Sequence, residues 1–329
     1  MFDTHTRRLG MTALLQADRL DFIRGEATEP DLFEQAVPRA LVHRAAISEV
    51  LLTGVRRCSE DTFRVGAQWS RGHSYYGAVA GRWHDPMLLG ESIRQVGLLL
   101  AHEALGIPLG FSFLTEATSF EATEEGARLG RGPAHVVLDV RLHSVVRRRN
   151  VVSAYAYEVV GYRDGRRIGS GRLTANVVSP AVYRRLRGDR AEATAPRELL
   201  KGIMPELVGR TCEFDVVLTA KSVGGARELR ADTDHPVLFD HPLDHVPGMV
   251  LMEAARQSGL AALGLPDALL VGCDAEFHKY VEFDSPCRVS TAAVETDVPA
   301  ARHALTVQFH QAESLVAACR VTLHDGSGE

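Results

Sequence analysis

The sequence predicts an α+β protein of two similar halves, each a long buried helix packed against an antiparallel sheet. Three observations carry this. The frame M-x-L-x-E-x-x-R-Q-x-G-L occurs at residues 87–98 and again at 249–260. The second copy lies in a run from Gly248 to Leu263 that is almost wholly apolar or small and stops at Gly264, as a buried helix would. Long β-rich runs follow both copies. Similarity on a scale of about 160 residues marks duplicated domains, since solenoid repeats have periods of roughly 20–50 residues. A chain of 329 residues accommodates two such domains.

Residues 1–40 carry mixed charge without periodicity and read as an N-terminal extension wrapping the first half. Residues 41–180 form the expected first domain, with a strand at 62–69, the helix, and strands at 134–146, 151–162 and 168–178. Asp164-Gly165 between the last two is a hairpin signal. Residues 181–198, rich in Arg, Ala and Glu with Pro196, read as a linker. The second domain, 199–329, repeats the layout with strands at 213–220, 287–294, 304–310 and 315–323. Glu91, Arg94 and Gln95 recur 162 positions later as Glu253, Arg256 and Gln257, and His73 recurs as His235. The helix stops Leu105-Gly106-Ile107-Pro108 and Leu263-Gly264-Leu265-Pro266 lie 158 apart.

A formal charge of −5 argues against a nucleic-acid partner. Arg147-Arg148-Arg149 and Arg184-Arg185-Arg187 are local basic exceptions, either solvated surface or a docking point for an acidic protein. The five cysteines (58, 212, 273, 287 and 319) show no C-x-x-C spacing, as in a reducing compartment. The N-terminal residues lack a signal-peptide core, so a cytoplasmic location is expected. The apolar helix of sixteen residues is too short to span a membrane. Gly169-x-Gly171 opens no helix and no G-x-S-x-G occurs, so neither a dinucleotide cofactor nor a serine hydrolase is expected.

Residues 234–257, DHPVLFDHPLDHVPGMVLMEAARQ, hold three Asp-His pairs. Pro236, Pro242 and Pro247 interrupt them, so the histidines cannot share a helix face and no metal site is expected. On the helix that follows, Glu253, Arg256 and Gln257 fall at i, i+3 and i+4 on one face. A charge on an apolar helix is costly unless paired or used. The set is therefore a salt bridge that fixes helix orientation, or chemistry. The position 162 before His241 is Val79, so the halves are not equivalent.

A Pro-Gly dipeptide opening a helix with E-A-x-x-Q, after a His-Pro segment, resembles the hot-dog fold of 3-hydroxyacyl carrier-protein dehydratases. His241 and Glu253 fall on that family's catalytic histidine and carboxylate. The phrases VGAQWSRGHSYY, DPMLLGESIRQVGLLLAHEALGIPLG and FDHPLDHVPGMVLMEAARQ more closely resemble the A-factor biosynthesis family of gamma-butyrolactone signal synthases, from about Val42 to the C-terminus. The resemblance implies a tandem (double) hot-dog fold. It also implies an acyltransferase that moves a 3-oxoacyl chain from acyl carrier protein to a hydroxyl of dihydroxyacetone phosphate, the ester then closing to a butenolide. Glu91, Glu253 and Arg256 take positions held to be essential.

That chemistry needs a base, a stabilised oxyanion and a held acceptor. Burial would raise the proton affinity of Glu91 and Glu253, the candidate bases. His241 with Glu91 makes one possible site and Glu253 with Arg256 the other. Backbone N–H groups at Gly248 and Met249 could face the oxyanion. Arg256 or Arg94 could grip the phosphate, with Gln95 and Gln257 orienting their neighbours. His73, His84, His235 and His245 are expected to be structural. The competing readings are a hot-dog dehydratase or thioesterase, and a non-catalytic acyl or lactone sensor. Val79 in place of a second histidine and the added arginines weigh against the first; the paired carboxylates weigh against the second.

Overall fold

Two apolar helices organise the chain in a computed structural model that describes residues 32–192, 199–220, 222, 224–293 and 301–326. Helix α1 spans Met87–Glu103. Asp85 accepts the Met87 N–H at 2.9 Å, which supplies the missing partner at the helix start. Every residue of α1 except Arg94 is buried. A short α2, Glu124–Ala127, and α3, Pro180–Arg187, precede α4, Gly248–Leu263. Gly264 closes α4 with a left-handed φ of 67°, the conformation its sequence position called for.

The strands are β1 Leu52–Arg57, β2 Thr62–Trp69, β3 Ser112–Ala122, β4 Ala134–Arg148, β5 Val151–Arg163 and β6 Arg166–Val178 in the first half. The second half supplies β7 Arg227–Glu228, β8 Leu269–Phe277, β9 Cys287–Ala293, β10 Arg302–Gln311 and β11 Ser314–His324. All eleven join one sheet in the order β1-β2-β4-β5-β6-β3-β8-β11-β10-β9-β7. The expected hairpin turn joins β5 and β6, with Asp164 and Gly165 both left-handed at φ 52° and 72°.

The halves meet where β3 pairs antiparallel with β8. The pairs Ala117↔Glu276 and Thr118↔Ala275 exchange under the post-helix offset of 158, so a pseudo-twofold axis passes between them. Neither seam strand was among the strands expected from sequence. β3 is mostly half-exposed Thr, Ser, Glu and Phe with no clean alternation. The expected strand at 213–220 is instead a 3-10 turn, Glu213–Asp215, followed by isolated bridges at Leu218 and Thr219. Gln257 explains this: its side chain takes the Val217 N–H at 3.0 Å and the Asp215 carbonyl at 2.9 Å, groups a strand ladder would have used.

The glycine of the repeated frame has a packing role in both helices. At Gly97 a Cβ would sit 2.5 Å from the Tyr157 hydroxyl, which donates to the Ile93 carbonyl at 2.6 Å. At Gly259 it would meet Leu323 at 2.9 Å. Each helix lies against its sheet too closely for any side chain there. Of the N-terminal extension only 32–40 is described, where Leu32 and Val37 are buried; of the expected linker, 193–198 lies outside the described residues. The expected linker opens with α3, whose Arg187 is buried where a solvated surface or a docking point was expected.

Candidate active site

Each central helix carries one buried carboxylate in a cluster of matching design. Glu91 receives Arg44 at 2.6 Å, Arg94 through Nε and Nη2 at 2.8 Å each, and Gln95 Nε2 at 2.7 Å. Glu253 receives Arg210 at 2.8 Å, Arg256 at 2.5 Å and Gln257 Nε2 at 2.7 Å. Both outer arginines cross to the other half: Arg44 donates to the Val237 carbonyl at 3.2 Å and Arg210 to the Tyr75 carbonyl at 2.6 Å. Those acceptors are themselves 162 apart. His73 Nδ1 accepts from Tyr75 and Tyr76 N–H, and His235 Nδ1 accepts from Val237 and Leu238 N–H. The glutamines tie each helix to a preceding 3-10 turn and the segment after it, Gln95 through Leu51 N–H and the Glu49 carbonyl. None of the outer arginines had been singled out from sequence, because Arg44 and Arg210 lie 166 apart, outside the 162 register.

This geometry corrects the expectation of a raised proton affinity. Burial does push Glu91 upward, but Arg44 and Arg94, with hydrogen bonds from Arg94 and Gln95, outweigh it and hold the carboxyl down at about 2. Glu253 is likewise lowered: burial is outweighed by Arg210, Arg256 and Gln257. Carboxylates so engaged are poor proton acceptors near neutral pH, and neither is among the residues that line the main cavity.

The symmetry fails at the helix entrances. Position 85 is Asp and its counterpart 247 is Pro; positions 79 and 83 are Val and Trp where 241 and 245 are His. In the second half-site Asp85 receives Arg256 Nη1 at 2.6 Å, leaving Arg256 only 6 % exposed. Trp83, buried, packs with Ala127, Leu269 and Val271. The counterparts of the last two, Phe111 and Phe113, stand 158 earlier and line an open cavity. A tight turn at Ala80-Gly81, with left-handed φ of 48° and 66°, brings Trp83 into place. One half-site is therefore plugged by an indole and a carboxylate.

The other is a cavity of about 900 Å³, within the range of small-molecule sites. Its walls include Arg94, His43, His241, His245, Gly248 and Met249. Arg94 spends Nε and Nη2 on Glu91, while Nη1 has no partner among the described residues. His241 Nδ1 lies 3.3 Å from Asp240, leaving Nε2 for the cavity side. Burial raises the Asp240 carboxyl, but the Ala45 and Ala46 N–H groups and Arg44 outweigh it, so Asp240 stays ionised. No side chain caps α4 at Pro247, and Gly248 and Met249 of its first turn line this space. His43 is held down to about 4 by burial, then by His102 and Arg94, and is neutral near pH 7.

The three Asp-His pairs thus turn to three different tasks. His235 holds a loop and contacts Asp215 at 3.2 Å, His241 leans on Asp240, and His245 Nδ1 meets Asp244 at 2.6 Å. Among the described residues no group of three or more His, Cys, Asp or Glu is arranged to hold a metal ion. No helix among them is long and apolar enough to cross a membrane.

The A-factor biosynthesis hotdog domain matches residues 25–179 and 191–324. The chain belongs to the A-factor biosynthesis hotdog family. Three relatives in this family are each a 2-oxo-3-(phosphooxy)propyl 3-oxoalkanoate synthase. The protein of Streptomyces virginiae is 43 % identical over 288 residues, covering 87 % of this chain and 96 % of its own. That of Streptomyces coelicolor is 34 % identical, covering 88 % and 93 %, and that of Streptomyces griseus is 33 % identical, covering 75 % and 82 %. A tandem hot-dog fold follows from the two matched segments and the single antiparallel sheet with two central helices.

Within this family member, the structure brings Arg94, His241, Gly248 and Met249 together around one cavity. It sets Glu91 and Gln95 directly behind Arg94. Glu253, Arg256 and Gln257 lie in the sealed counterpart, which changes the reading of Arg256 as a phosphate ligand: both its Nη atoms are committed to carboxylates.

Proposed function

We propose that this chain is an acyltransferase. It moves a 3-oxoacyl group from the thioester of an acyl carrier protein to a hydroxyl of dihydroxyacetone phosphate, for a gamma-butyrolactone- or butenolide-type signal. The product named by its three relatives is such an ester, a 3-oxoalkanoate of a phosphooxy-propanone alcohol. The observation that carries the assignment here is the single open half-site, where a guanidinium with a free arm, a histidine backed by a carboxylate and an uncapped helix start share one cavity.

Arg94 Nη1 takes the acceptor's phosphate, with Glu91 holding the guanidinium plane fixed. His241 accepts the proton of the attacking hydroxyl at Nε2 while Asp240 keeps the ring oriented. The hydroxyl oxygen bonds to the thioester carbon, whose oxygen becomes negative opposite the Gly248 and Met249 N–H groups. The C–S bond then breaks, and the proton on His241 passes to the departing thiolate. Apolar cavity walls, among them Leu98, Phe113 and Met252, receive the acyl tail. No cofactor enters this scheme. All five cysteines are unpaired, which fits a cytoplasmic setting.

The test is direct. Purified protein is incubated with 3-oxoacyl carrier protein, with and without dihydroxyacetone phosphate, and the mixture is read by mass spectrometry. A phosphorylated ester that requires the acceptor is expected. Release of free 3-oxo acid at the same rate without the acceptor would make the chain a thioesterase.

A further inference from the structure

A thioester on a carrier must be held at the cavity mouth while its chain is inserted, which calls for a complementary surface at the rim. Helix α3 stands there, with Tyr183 among the cavity-lining residues. Its inner face is pinned. Tyr183 donates to Asp244 at 2.7 Å, and Arg187 pairs with Asp244 at 2.8 Å and Glu282 at 2.7 Å while lying 4.1 Å over the Tyr280 ring. Its outer face has no such ties. Val182 and Leu186, one turn apart, are 43 % and 57 % exposed. Beside them Arg184 and Arg185 are exposed and have no ion-pair partner among the described residues.

A second basic and apolar patch lies at the same end of the sheet. Val146, Ala154, Asn176 and Leu114 form one row across β4, β5, β6 and β3, and Asn176 and Leu114 line the cavity. Just beyond that row the β4–β5 turn carries exposed Arg147, Arg148 and Arg149 between Val146 and Val151, themselves 45 % and 52 % exposed. On a chain of net charge −5, two arginine groups without an ion-pair partner among the described residues, flanked by exposed aliphatic side chains, single out this rim.

We propose that the outer face of α3, continued by the β4–β5 turn, is the docking surface for an acidic, helical carrier protein that presents the acyl thioester to the cavity. This rests on the acyl-transfer reading for its choice of partner. Arginines interleaved with exposed aliphatic residues fit a helix that alternates carboxylates and apolar side chains. A nucleic acid would satisfy the arginines and leave Val146, Val151, Val182 and Leu186 in water.

The experiment measures binding separately from turnover. An acyl carrier protein bearing a 3-oxoacyl chain through a non-hydrolysable amide is titrated against the full chain and against Arg185→Glu, Leu186→Ser and Arg131→Glu. The last is a charge-matched control before the far end of β4. Binding should weaken about tenfold for each α3 variant, remain unchanged for Arg131→Glu, and weaken with added salt. In turnover, the α3 variants should raise KM for the carrier-bound donor about tenfold and leave transfer from an acyl N-acetylcysteamine thioester unaltered. Undiminished carrier binding by the α3 variants overturns the docking surface, as does preference of the wild type for anionic vesicles over the carrier. Normal carrier binding with no ester formed from either donor contradicts the acyl-transfer reading and leaves the docking surface standing.

Discussion

Arg256 donates to Asp85 at 2.6 Å across the two halves, whereas in the other cluster the position equivalent to Asp85 is Pro247, which has no carboxylate to offer. The second cluster thus matches two guanidiniums with two carboxylates. In the first, Glu91 is the carboxylate bonded to both Arg44 and Arg94, and Asp240 acts on Arg44 electrostatically from the cavity wall. A guanidinium with an uncommitted Nη beside an open cavity suits an anionic acceptor, and a sealed cluster whose Arg256 has both Nη atoms on carboxylates suits a structural joint.

Asp85→Asn should therefore cost stability rather than chemistry. Arg256 would be left buried with Glu253 as its remaining counter-ion, a loss of about 2–4 kcal/mol. The urea midpoint should fall, with turnover per folded molecule retained. Lost turnover at an unchanged midpoint would return Arg256 to the chemistry.

Arg94→Lys should raise KM for dihydroxyacetone phosphate by about tenfold to a hundredfold and lower kcat as well. An ammonium keeps the charge, but it cannot hold Glu91 with two nitrogens and still offer a third to the phosphate. Saturation by the acyl donor should be little affected. Steady-state kinetics with each substrate varied in turn separate these effects, and an unchanged acceptor KM would remove Arg94 from phosphate binding.

Glu91 makes stability depend on pH in a defined window. Its carboxyl sits at about 2 in the folded chain against 4.5 when unperturbed. Between those values the unfolded state binds more protons, so stability rises with pH there. The contribution is complete above about pH 4.5 and is lost as pH falls toward 2, amounting to about 3 kcal/mol. Urea titrations from pH 3 to pH 7 should show a shallower slope for Glu91→Gln, together with lower stability at pH 7. The slope should not vanish, because Asp240, Asp244 and Glu253 are lowered too.

His241→Ala should lower kcat by about a hundredfold or more while the protein melts normally, since the side chain is partly exposed and only leans on Asp240. Asp240→Asn should be the more destabilising change, because Asp240 also accepts the Ala45 and Ala46 N–H groups at 2.5 and 2.9 Å. If His241→Ala turns over normally, the base lies elsewhere, with His245 next in the cavity wall.

Much of this was legible in the chain because the duplication is written in apolar helices. The frame shared by α1 and α4 announced the two halves, the glycine stop after α4 and the buried polar triads. The absence of a histidine at Val79 pointed to unequal sites. What stayed hidden depends on tertiary pairing. Arg44 and Arg210 come from loops outside the register of the helices, and only the fold shows them reversing the effect of burial on Glu91 and Glu253. Trp83 and Asp85 read as ordinary residues before a helix until their packing against Leu269 and Arg256 is seen. The seam strand β3 lacks the alternation of a half-buried strand, since it bonds to β8 on one edge and borders the cavity.

The seam between β3 and β8 also bears on how such a protein can diverge. Two identical subunits joined along this edge would carry every substitution twice, so plugging one pocket would plug its twin. Covalent fusion lifts that constraint. Once both copies lie on one polypeptide, one can give up turnover and specialise as a brace, while the other is free to follow a new substrate.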